Sequence, residues 1–191
     1  MAKQGLMLLL GLGAAFGMAL APGALAGERC YHGSAESGSL EFRGEAEGNR
    51  FNGHFRRFHV QVCLTDAEPE TAVIDVRVET GSGTVGNRQG DAALVDEELF
   101  AAERYPEAVW TSSSIERNED GFIAEGELSL RGVSASQPVQ LQFDHADAGL
   151  GLTGSAQIMR LDYGVGQGEF EDPDFIRNRV ELSFDLVLSA E

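Results

Sequence analysis

From Phe51 onward, apolar and polar side chains alternate one by one along most of the chain. In "NRFNGHF", Phe51, Gly53 and Phe55 share one face, with Asn52 and His54 on the other. "FHVQVCLT" sets Phe58, Val60, Val62 and Leu64 against His59, Gln61, Cys63 and Thr65, and "TAVIDVRVE" sets Ala72, Ile74, Val76 and Val78 against Asp75 and Arg77. The same period of two runs through "FIAEGELSLR", "VQLQFDH", "GLGLTGSAQIMR" and "VELSFDLVL". A period of two belongs to strands, and one apolar face per strand belongs to antiparallel sheets. So many half-apolar strands must bury their faces against one another. A closed barrel does this and leaves no open edge. The expected fold is all-β, an antiparallel barrel of about eight strands.

One stretch breaks the pattern. "DAALVDEELFAAERYP" reads as a short helix capped by Asp91, with Val95 and Leu99 on one stripe and Pro106 at its end. The glycine-rich "ETGSGTVGNRQG" before it lacks the ending of a phosphate-binding loop and reads as a flexible connection. "RLDYGVGQGEF", Arg160–Phe170, also carries alternate glycines. A dinucleotide site needs such glycines between a strand and a helix. Here Glu169, Glu171, Asp172 and Asp174 follow around Pro173, a poor helix start that repels anions. The segment is therefore read as a turn closing a hairpin. The acidic spacing matches no EF-hand loop, so no metal is expected there.

Residues 1–26 read as a secretory signal: Lys3, an apolar run, then "ALA" before a cut after Ala26. The run is too short and too rich in Gly and Ala for a membrane span. The remaining 165 residues, 27–191, suit one domain with no internal repeat or linker. They carry 13 arginines, no lysine and 31 acidic residues, a net charge of −18. That surface excludes nucleic acid as a partner. Cys30 and Cys63, an even count in an exported chain, are expected to form a structural disulfide. Because Cys63 points outward by parity, the bond is expected to pin the N-terminal segment to the outer wall.

Four ordered stretches carry a family resemblance: "FNGHFRRFHVQV", "LVDEELFAAERYPEAVWTSSSI", "GELSLRGVSASQPVQLQF" and "RLDYGVGQGEF". Together they resemble the YceI-like family of exported lipid-binding proteins, over about Ser39 to Leu188. The resemblance implies an extended, lipocalin-like barrel with a long apolar cavity for a polyisoprenoid chain or a related amphiphile, an isoprenoid quinone included. It also implies a periplasmic location and, for some members, a membrane b-type cytochrome as partner. No catalytic residue, metal or bound cofactor other than such a lipid is implied. The cysteine pair and the weak alternation of "SGSLEFRGEAEG" depart from the family pattern.

The candidate ligand-binding set is the inward face: Phe51, Phe55, Phe58, Trp110, Phe122, Leu128, Phe143, Ile158, Leu182 and Phe184. Gly53, Ala124, Gly126, Gly154 and Ala156 share that face. Small residues there either leave room for a ligand or accommodate the large ones; the resemblance favours room. Trp110 is expected to line the pocket, with a capping role bonded to backbone as the alternative. Arg160 has inward parity and needs a partner. Asp162 is expected to supply a structural ion pair, and a polar head group is the alternative. His54 and His59 differ in parity and cannot converge on a metal, and His145 falls at a strand end. No nucleophile, base and orienting acid stand together, so the protein is expected not to be an enzyme. The leading reading is a carrier of an apolar amphiphile, working as a monomer or a homodimer. The alternative is a filled barrel whose acidic face docks a membrane redox partner.

Overall fold

The computed structural model describes residues 28–65, 68–146 and 149–190, without the side chains of residues 145 and 146. The signal-peptide reading and the side chain of His145 therefore lie outside what is described. The strands are β1 (Arg29–Ser34), β2 (Gly38–Ala46), β3 (Asn49–Phe55), β4 (Phe58–Leu64), β5 (Ala72–Glu79), β6 (Gly83–Thr84) and β7 (Glu107–Asn118). They continue with β8 (Gly121–Leu130), β9 (Val133–Ser136), β10 (Val139–Ala146), β11 (Gly149–Met159) and β12 (Arg179–Ala190). A helix, α1 (Arg88–Val95), stands between β6 and β7.

All pairings are antiparallel, and β12 returns to β1 through Tyr31 opposite Ala190, which closes the ring. The wall has eight courses, four of them broken into two pieces. β1 and β2 both lie against β12; β4 and β3 lie beyond them, then β5 and β6. β9 and β10 both lie against β8.

The β5–β6 and β9–β10 breaks have local causes. Between β5 and β6, Ser82 donates to the carbonyls of Arg57 and Glu79 and receives the Arg57 N–H, so one buried hydroxyl stitches two neighbouring corners. Thr80, equally buried, donates to the Tyr105 carbonyl at 2.7 Å. Between β9 and β10, Pro138 cannot donate to the ladder. Gln137 keeps the register by bonding through its N–H to Gly126.

Two expectations are corrected here. The N-terminal segment does not lie on the outside of the wall: β1 is part of the wall, and Cys30–Cys63 bridges directly opposed residues of β1 and β4. The helix is shorter and earlier than Asp91–Tyr105. Asn87 caps it, accepting from the Gly90 N–H at 2.9 Å. Asp91 sits within the first turns and reaches back to Thr84 Oγ1 and the Val85 N–H, each at 2.8 Å. Those bonds hold its carboxyl below the usual range, the Val85 N–H contributing most. The chain leaves the helix at Asp96 and turns again at Ala101, whose φ is 48°. Val95 consequently faces solvent, whereas Leu94, Leu99 and Phe100 turn inward. "RLDYGVGQGEF" does connect the antiparallel pair β11 and β12, through 3-10 turns at Arg160–Tyr163 and Gly168–Glu171.

Candidate functional site

The barrel interior changes character along its length. At the end where Leu64 meets Ala72, the core is solid: Val62, Ile74 and Leu188 are fully buried. Phe122 and Phe143 pack edge to face there at 5.5 Å, with the Arg117 guanidinium over the Phe122 ring. Further along lies a small chamber of about 80 Å³, bounded by residues that include Phe58, Val60, Ile74, Trp110, Leu141 and Phe184. Towards α1 lies a larger one of about 160 Å³. Phe42, Phe51, Phe55, Leu128, Ile158 and Leu182 border it from the strands, Leu94, Leu99 and Phe100 from the helix and the turn after it, and Ile176 from the β11–β12 connection. Leu40 borders both chambers.

Among the described residues, no polar atom faces either chamber. Thr80 and Arg160 border the larger one but turn their polar atoms away, Thr80 to Tyr105 and Arg160 to three carbonyls. Arg160 is only 3% exposed and donates to Arg177, Val165 and Ile176 at 2.6–3.1 Å. The ion pair expected with Asp162 does not form, because Asp162 points to solvent. Burial lowers the Arg160 pKa. The backbone carbonyls stand in for a counter-ion, and the arginine fixes the β11–β12 connection that walls the chamber. Next to it, burial and the Asp162 charge push the Tyr163 phenol up.

Eight of the ten candidate residues therefore border the chambers, and Phe122 and Phe143 do not. Trp110 combines both roles considered for it: its ring borders the small chamber and its indole N–H donates to the Gln137 carbonyl at 2.9 Å. The glycines, in contrast, leave no room. A Cβ on Gly53 would lie 2.2 Å from the Phe42 ring, on Gly126 2.6 Å from Trp110, and on Gly154 2.4 Å from Phe184. Each inward glycine is the space a neighbouring ring already fills, so the chambers come from elsewhere. The sequence reading missed Leu40, Phe42, Val78, Leu94, Leu99, Phe100 and Ile176 as lining residues. The Leu99–Phe100 pair beside acidic neighbours was the available signal for a buried turn.

The family model for the YceI-like domain matches residues 31–188. The chain belongs to the YceI-like family. Its relatives include UPF0312 proteins of Yersinia enterocolitica, 27% identical over 70% of this chain and 69% of the relative, and of Pectobacterium atrosepticum, 28% identical over the same shares. Among solved structures, BcnA of Burkholderia cenocepacia superposes with a TM-score of 0.71 at 22% identity, over 78% of this chain and 95% of BcnA. A polyisoprenoid binding domain from Saccharophagus degradans superposes with a TM-score of 0.59 at 14% identity, over 84% and 98%. These likenesses establish the YceI-like barrel as the fold. Among the described residues of this YceI-like protein, no helix is long and apolar enough to cross a membrane.

Proposed function

We propose that the protein is a periplasmic carrier that holds the hydrocarbon tail of an isoprenoid-type amphiphile, a prenyl lipid or isoprenoid quinone, and carries out no reaction on it. The observation behind this reading is the pair of adjoining chambers bounded by carbon alone. An apolar cavity of roughly 150 Å³ stays dry and accepts a benzene-sized guest. The larger chamber, at about 160 Å³, is of that size. Enclosing a longer chain takes roughly 300–1,000 Å³. A chain would gain that room by joining the chambers at Leu40 and displacing half-buried Phe55, Phe100 and Leu182 outward. Each methylene so buried contributes about 0.8 kcal/mol.

A flexible chain suits two chambers in series better than a rigid ring system does. The Saccharophagus domain, named for polyisoprenoid binding, supports the same ligand class. The Cys30–Cys63 bond supports an oxidising compartment. The open chambers favour the carrier over a filled barrel that only docks a membrane cytochrome.

Native mass spectrometry of protein purified from periplasm without detergent, followed by solvent extraction, tests this. A stoichiometric extra mass that resolves into a prenyl lipid or quinone is expected. A protein that stays at its bare mass after incubation with such lipids would overturn the carrier.

A further inference from the structure

The chambers offer a ligand no polar contact, so the polar end of an amphiphile must lie outside the barrel wall. The wall has an interruption next to the larger chamber. β2 and β12 pair as far as Arg43 opposite Glu181, and the chains meet again where the Arg177 N–H donates to the Glu45 carbonyl. Between those points a single residue, Gly44, stands opposite three, Asn178, Arg179 and Val180. The Phe51 ring lies across Gly44, where a Cβ would come within 2.4 Å of it. Phe51 borders both the inner chamber and the outer groove at this place.

The groove carries Arg43, Arg50, Arg177 and Arg179. Four of the 13 arginines of an acidic protein thus converge on one spot. The lining carboxylates are two, Glu45 at 3.5 Å from Arg177 and Glu181 at 2.6 Å from Arg179, and among the described residues no carboxylate pairs with Arg50. Arg177 also pairs with Asp174, and Arg43 with Glu41. Forked guanidinium donors suit a phosphate geometrically.

We propose that this groove binds the phosphate head of a prenyl phosphate whose tail passes Phe51 into the larger chamber. The proposal rests on the carrier reading and names its ligand class as anionic rather than neutral. The test compares farnesyl phosphate with farnesol, titrated into the purified full chain at low salt and followed by calorimetry. Farnesyl phosphate is expected to bind at least about tenfold more tightly. Arg50→Gln with Arg179→Gln should remove that preference and leave farnesol affinity unchanged, while Arg57→Gln, far from the groove, should preserve it. Raising the salt should also shrink the preference. Equal binding of both compounds would overturn the head-group site and leave the carrier standing. Binding of neither would overturn the carrier itself. Inorganic phosphate binding as tightly as farnesyl phosphate, in the same groove, would replace the lipid head with a free-anion site and overturn the proposal.

Discussion

A single carbon added at Gly126 would meet the Trp110 ring and the Thr111 carbonyl, both at 2.6 Å. The ring can shift; the backbone carbonyl cannot. Gly126→Ala is therefore expected to cost about 1–3 kcal/mol, the usual range for overpacking. Chemical denaturation would measure it, together with a change in Trp110 fluorescence as the indole leaves Gln137. An unchanged midpoint would mean the barrel has slack that the geometry denies. The alternation of apolar residues announced which way Gly126 points, but not whether the space beside it is empty. That depends on which residue the neighbouring strand places there, a matter of register between distant segments. Asp91 illustrates the same limit: both it and Asn87 can cap a helix, and Thr84 decides between them by claiming the aspartate. Its folded pKa is depressed, so its stabilisation is complete above the ordinary aspartate value of about 3.9. It is lost as pH falls through the depressed one. Asp91→Asn should lower the thermal midpoint at neutral pH, and the gap from wild type should close as the pH drops below the aspartate range.

Elements with a full apolar face were legible; elements stabilised by what lies beside them were not. β4, β8 and β12 show their alternation outright. β1 hides it, because its inward positions are Tyr31 and Gly33, the latter fitted against Leu188. It pairs with β4 along six residues but with β12 along only two. The disulfide therefore fastens the strand that closes the ring. The sequence separation of 33 places the chain-entropy stabilisation at roughly 3–4 kcal/mol. Replacing both cysteines by serine should lower stability by about that amount. Amide exchange should accelerate first in β1, before β4 and β5 respond. Uniform acceleration through the barrel would show that ring closure and the rest of the sheet unfold as one unit.

For the molecule as a whole, the chambers are the feature that a stability-driven sequence would fill. Voids forfeit packing contacts, so an unliganded barrel is less stable than a filled one of the same shape. If the space serves a ligand, filling it should separate stability from binding. Val78 is buried in β5 and borders the larger chamber. Val78→Phe would place a ring in roughly the space a tail would enter. The expected outcome is an apo thermal midpoint equal to or above that of wild type, with loss of the rise that farnesyl phosphate or farnesol gives wild type. That rise follows from mass action, about 2.7 kcal/mol at a ligand concentration one hundred times the dissociation constant. A barrel that loses stability on the substitution has no usable space at Val78. One that keeps its ligand-induced shift binds the tail elsewhere. Only a stable variant that has lost the shift fits a cavity kept open for an occupant at a cost to the empty protein.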